Sequence, residues 1–202
     1  MKKHRNSPKR YYEENEVYFI VVKTQNNYPY FKEPIFCDLL IEEIKLCKKI
    51  KKFNLFAFSI IYDHLNLLIQ PGEEYNISKV MQSIKKETSR DINYIISDHH
   101  AVGDIPECRL RGKQYSYRFD KEYTIPNLSK CQNQFIQKYD TSQHQFPKFK
   151  WQKSFYDHVI RDDRNFEYHY DYTVYNHQKH GLPDDWQYTS LNWVEVIDKI
   201  LI

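Results

Sequence analysis

An α+β fold, a ferredoxin-like antiparallel sheet with helices packed on one face, is what this 202-residue sequence predicts. Three observations carry the prediction. Hydrophobic period alternates between two and 3.6 in the order strand, helix, hairpin, helix, strand. The four glycines, Gly72, Gly103, Gly112 and Gly181, lie too far apart to build a phosphate-cradling loop, which argues against the nucleotide-binding parallel folds. The length suits one domain with a large insertion. The expected organisation is a single domain over 1–202, with a flexible basic tail at 1–16, an insertion at 97–147 and a helical tail at the C-terminal end.

The elements follow in order. Val17-Tyr18-Phe19-Ile20-Val21-Val22 is β-branched and aromatic, the composition of a buried strand. Pro34 suits the first turn of a helix, and Phe36, Leu39, Leu40, Ile44 and Cys47 follow on one helical face. The basic residues from Lys45 to Lys52 then favour a helix C-terminus. Leu55 to Tyr62 and Leu65 to Ile69, split by Asp63-His64 and closed by Pro71-Gly72, read as a hairpin. Its period of two puts His64, Asn66 and Leu68 on one face and Leu65, Leu67 and Ile69 on the other. Asn76 can cap a helix in which Ile77, Val80, Met81, Ile84, Thr88, Ile92 and Ile95 repeat. The pattern fades from Ser97 to Pro147. It returns at Phe149 to Trp151 as a short strand, followed by a helix over Ser154–Arg161 and another from Asp163 to about Tyr175. Trp186, Trp193, Val194, Ile197 and Leu201 make a final amphipathic stripe.

Composition narrows the class. Mean hydropathy is −0.80, and the longest nearly apolar run, Leu55 to Tyr62, is far below the ~20 residues of a membrane span. No apolar stretch follows the basic start Met1-Lys2-Lys3-His4-Arg5, so the expected compartment is the cytoplasm. Cys37, Cys47, Cys108 and Cys131 form no Cys-x-x-Cys pair, so neither a zinc site nor a disulfide framework is indicated. The net charge of +3 is too mild to announce nucleic acid by itself. Local clusters, including Lys85, Lys86 and Arg90 off the apolar stripe of their helix, carry more information.

Four segments together resemble one family, the single-tyrosine transposases of the insertion-sequence-200 type, and within it the REP-associated tyrosine transposases. Ile61-Tyr62-Asp63-His64-Leu65-Asn66-Leu67-Leu68-Ile69 looks like the family's strand bearing His-hydrophobic-His. Ser78 to Met81, Ile84 and Lys85 resemble the helix that follows it. Trp151-Gln152-Lys153-Ser154-Phe155-Tyr156-Asp157, continuing to Ile160-Arg161-Asp162, resembles the segment assigned to the nucleophilic tyrosine. Tyr172, Asn176, Lys179-His180-Gly181-Leu182, Trp186 and Ser190 are similar to the family's Tyr-Ile-x-x-Asn-Pro-Val-Lys-x-Gly-Leu and Trp-x-x-Ser.

The resemblance implies cleavage and rejoining of single-stranded DNA through a 5′-phosphotyrosine intermediate. Phenol has a pKa near 10 and needs help as a nucleophile. A divalent metal held by the histidine strand would polarise the scissile phosphate. On this basis Tyr156 is the expected nucleophile, and His64 and Asn66 are the expected ligands of Mg²⁺ or Mn²⁺. A third ligand is expected one helical turn after the tyrosine. Expected DNA contacts come from Lys85, Lys86 and Arg90, and from Trp151, Gln152 and Arg161. Expected partners are single-stranded or hairpin DNA and a second copy in a homodimer, with no membrane and no nucleotide cofactor. Two departures stand out: Asn66 replaces the second histidine, and Ile160 stands one turn after Tyr156. They leave an alternative, a catalytically degenerate relative that binds DNA hairpins or single strands without cleaving them.

Overall fold

The computed structural model describes residues 16–97, 128–139 and 146–199. The expected basic tail, apart from Glu16, and most of the expected insertion lie outside these residues. Four strands, β1 (Tyr18–Lys23), β2 (Asn54–Ile61), β3 (His64–Gln70) and β4 (Tyr156–Val159), form one antiparallel sheet in the order β2-β3-β1-β4. Helices α1 (Pro34–Lys51) and α2 (Ile77–Ser97) connect them and pack on one face, as the ferredoxin-like reading requires. The C-terminal helices α4 (Asp163–Val174) and α5 (Asn176–Lys179) follow β4, and α4 covers part of the other face. Within the expected insertion, Leu128–Tyr139 forms a further helix, α3, against α2.

Alternation along the strands divides the molecule into two layers. Tyr18, Ile20 and Val22 of β1 join Leu65, Leu67 and Ile69 of β3 in the main core with α1 and α2. The intervening Phe19 and Leu68 point to the opposite face, where they meet Phe56, Ala57, Ile160 and Val174. Each fully buried aliphatic side chain contributes about 1.5–3 kcal/mol relative to exposure. Pro34 opens α1 and Lys52 ends it in the left-handed region, with its N–H donating to the Lys48 carbonyl. Asn76 caps α2 by accepting from the Lys79 N–H at 3.1 Å. Gly72 is required where the chain leaves β3, because a Cβ there would lie 2.3 Å from the Lys52 carbonyl oxygen.

The expected helix over Ser154–Arg161 is instead strand β4, with Tyr156 opposite Val21 and Val159 opposite Tyr18. Phe155 and Val159 do share the core-facing side. Their spacing of four fits one helical turn and is also a multiple of two, so the pair cannot distinguish the two periods. Trp151 forms an isolated bridge with Thr24, extending the β1 edge towards β4. At the other edge, Ser59 bridges Thr189 and the Ile60 N–H donates to the Tyr188 carbonyl, so the C-terminal segment covers β2.

Candidate active site

The polar residues of β3 face away from the main core and are nevertheless buried. His64 is 4% exposed and Asn66 1%. A two-residue turn, Tyr62-Asp63, sets the first of them. Its carbonyls accept from the Phe31 N–H at 2.9 Å and the Thr24 N–H at 2.8 Å. Asp63 belongs to this turn and escapes strand alternation, so it does not face away from His64. Its Oδ1 lies 2.6 Å from His64 Nδ1. A carboxylate can only accept, which puts a proton on Nδ1 and aims Nε2 into the site.

Asn176 closes the site from the C-terminal segment. Its Oδ1 lies 3.3 Å from His64 Nε2 and accepts from Asn66 Nδ2 at 3.0 Å. Asn66 Nδ2 also donates to Ser59 Oγ at 3.2 Å. With Nδ1 protonated, Nε2 of a neutral His64 ring and Asn176 Oδ1 are two acceptors facing one another. Such a pair is relieved by a shared proton, by a cation between them, or by turning the Asn176 amide so that its unpartnered Nδ2 donates to His64. Around it, Asn176 Nδ2, His177 Nε2 and the hydroxyls of Thr173, Thr189 and Ser190 are buried without a hydrogen-bond partner among the described residues.

His180 adds a second imidazole, its ring centroid 4.7 Å from that of His64 at 63°. Burial, and then the His64 ring, hold its pKa below the ordinary imidazole value, which favours the neutral ring at neutral pH. Tyr172 stands one helical turn before Asn176. Its ring meets Phe19 edge-on at 5.5 Å, and Lys179 Nζ lies 3.9 Å from the ring centroid. Tyr156 lies on the same face as Asn66, since both are opposite Val21, but two strands away, about 10 Å. It is 59% exposed and its ring contacts Phe19 at 6.3 Å.

The structure thus brings His64 and Asn66 together and separates the other expected residues from them. Tyr156 is on a strand, so no residue stands one helical turn beyond it and Ile160 is not the third ligand position. Ile160 packs in the second apolar layer. Lys85 and Arg90 are on α2, across the sheet, and both are engaged. Lys85 Nζ donates to the carbonyls of Gln152 and Lys153 at 2.7 and 3.0 Å, while Arg90 pairs with Glu87 and Asp91. Lys86, exposed, is 3.7 Å from Glu87. Trp151 is core, packed on Phe31 and Phe149, and does not offer a DNA-facing ring. Gln152 is exposed beside Asn27. Arg161 lines a cavity of about 930 Å³ with Asp162, Asp163, Glu167, Asp171 and Lys199.

Sequence reasoning passed over Tyr172, Asn176, His180 and Asp63 as site residues. The Tyr172-x-x-x-Asn176 spacing carried the signal, because i and i+4 side chains share a helix face. Proximity to His64 across 112 residues did not.

Residues 14–104 match the family model described as transposase, IS200-like. A putative REP-associated tyrosine transposase of Haemophilus influenzae is 31% identical over 110 residues, 48% of this chain and 56% of that protein. The alignment thus spans just over half of that relative. A solved REP-associated tyrosine transposase bound to a REP hairpin aligns over 96% of this chain and 84% of its own, with a TM-score of 0.55 and 17% identity. Among the described residues no helix is long and apolar enough to cross a membrane. In sequence and in fold the chain is similar to REP-associated tyrosine transposases.

Proposed function

We propose that this chain is a single-stranded DNA strand transferase of the single-tyrosine type that acts on DNA hairpins, with Tyr172 in place of Tyr156 as nucleophile. One observation carries the reading: Asn176 meets His64 and Asn66 and stands four residues after Tyr172, at the start of the next helix. That is the relation between third ligand and tyrosine which the resemblance implies. One of the two departures from the family pattern therefore disappears, because Asn176 holds the place that Ile160 could not.

In the reaction, Tyr172 Oη forms a bond to the scissile phosphorus and the bond to the 3′ oxygen breaks. The phenolic proton is lost, the 3′ oxygen gains one, and the products are a 5′-phosphotyrosine and a free 3′-hydroxyl. Rejoining reverses each change, so the bond energy is retained and no nucleotide is consumed. Lys179 places a positive charge against the Tyr172 ring as that ring's oxygen turns negative. Tyr168, 64% exposed, and Tyr175, 45% exposed, extend the Tyr172 stripe at helical spacing. Exposed rings in such a row suit unpaired bases, each stacked base contributing about 1–3 kcal/mol.

The residues present fit a divalent cation. His64 Nε2 and Asn176 Oδ1 are opposed acceptors, and turning the Asn66 amide over would place its oxygen beside them. Imidazole and amide oxygens form a neutral donor set that suits Mg²⁺ or Mn²⁺ alongside a phosphate. When bound, the cation supplies polarisation of the scissile phosphate. Asp63 fixes the ring of His64, and the sheet fixes both β3 ligands before DNA arrives.

The test is incubation with hairpin and single-stranded DNA in Mn²⁺, followed by a denaturing gel. A covalent adduct is expected with the wild type and with Tyr156→Phe, and none with Tyr172→Phe. Loss with Tyr156→Phe alone would overturn the assignment. The alternative, hairpin binding without cleavage, is favoured by Asn66, whose Nδ2 donates to both Asn176 and Ser59. It predicts no adduct on any hairpin, with binding that weakens steeply with salt and ignores EDTA.

A further inference from the structure

We propose that His180 supplies the second imidazole of the cation site, so that His64, Asn176 and His180 hold a divalent ion and Asn66 supports them from the strand. The proposal rests on the cation reading of this pocket and assigns a residue that the strand motif does not contain. The motif's second histidine is Asn66, and one imidazole with amides would make a weak site. The structure returns an imidazole from a different element, 116 positions along the chain from His64.

Three features support the assignment. The two rings approach edge to face at 4.7 Å between centroids, close enough for both to reach one ion. His180 is exposed, and among the described residues no hydrogen bond engages its ring nitrogens, which leaves them open to a ligand; His64, His158, His169 and His177 each have a ring nitrogen in a hydrogen bond. The position of His180 is also built. The Gly181 N–H donates to the Gln178 carbonyl at 3.0 Å, and the Leu182 N–H to the His177 carbonyl at 3.0 Å. Gly181 adopts φ +66°, which turns the chain back after α5 without the strain another residue would meet. Buried His177 and Leu182 anchor both sides of the turn.

The existing distances agree with a ligand polyhedron. Donors about 2.1 Å from a common ion lie roughly 3.0–3.4 Å apart in octahedral or tetrahedral arrangements. His64 Nε2 and Asn176 Oδ1 are 3.3 Å apart. Two imidazoles also shift preference from Mg²⁺ towards Mn²⁺ and Co²⁺.

The experiment measures metal binding by the full chain without DNA. Electron paramagnetic resonance counts free Mn²⁺, and the visible absorption of added Co²⁺ reports its coordination. The wild type is expected to bind Mn²⁺ more tightly than Mg²⁺. His180→Ala is expected to weaken Mn²⁺ binding at least tenfold and to change the Co²⁺ band, with the metal-free Tm unchanged. Asn66→His in the His180→Ala background is expected to restore affinity. His180→Gln provides a second variant should the alanine protein fold poorly. Equal Mn²⁺ affinity in wild type and both His180 variants overturns the role of His180 and leaves the cation reading standing. A wild type that binds neither Mn²⁺ nor Co²⁺ overturns both, whereas an adduct assay that fails despite metal binding overturns only the proposed reaction.

Discussion

The two faces of the sheet are made from the same strands and serve opposite ends. On β3, Leu65, Leu67 and Ile69 sink into a continuous apolar layer with α1 and α2. One residue out of step, His64 and Asn66 are just as buried but keep polar atoms pointed at one another and at Asn176. The first face is close-packed and gains its stability from area. On the second, five buried polar atoms around Asn176 lack partners among the described residues, each costing about 1–3 kcal/mol. A face that gives up stability in this way is arranged for something that supplies the missing partners. The contrast shows that burial alone does not separate core from site.

The sharpest break of this contrast is Leu67→Ala on the packed face. It should cost about 3 kcal/mol in chemical denaturation while leaving the yield of DNA adduct, measured well below the Tm, unchanged. Its counterpart across the strand is Asn176→Ala, which should reduce adduct formation about 10–100-fold and move stability by no more than about 1 kcal/mol. A large loss of stability in the second variant would mean that Asn176 is there for packing. A third variant tests a buried carboxyl inside the packed face. Burial, and then the adjacent Asp91, push the Glu43 carboxyl up to about 10. Its folded form therefore binds a proton that the unfolded chain releases near the ordinary value of 4.5. Stability from this group is complete below about pH 4.5 and declines as pH rises towards 10. Glu43→Gln should flatten that decline and be more stable than wild type at pH 9. Thermal unfolding at pH 5, 7 and 9 would show it, and parallel wild-type and variant curves would refute it.

Most of the fold was legible because its strands and helices carry unambiguous periods. The hairpin, the capped helix α2 and the Pro34 start of α1 follow from local patterns alone, as does the shared face of His64 and Asn66. The segment over Ser154–Arg161 was not legible, because Phe155 and Val159 satisfy both periods and the partner that decides, β1, lies more than 130 residues earlier. A helical Tyr156 would have Ile160 one turn onward, whereas Tyr156 on strand β4 has no such neighbour. Lys85 and Trp151 look like ligands for DNA on paper, yet Lys85 is bound to carbonyls beside Gln152 and Trp151 is walled in by Phe31 and Phe149. Charge and aromaticity in a sequence do not say which side of the sheet they will meet.

The contact between His64 and Asn176 joins positions 112 apart. At about 5–20 residues per second of synthesis, β3 waits roughly 6–22 s for Asn176 to be made. Tyr172, Asn176 and His180 all arrive on that one late segment, so the proposed nucleophile and its proposed supporting groups appear together. Until that segment is made, a nascent chain holds His64 and Asn66 without Asn176, which bonds both in the complete fold.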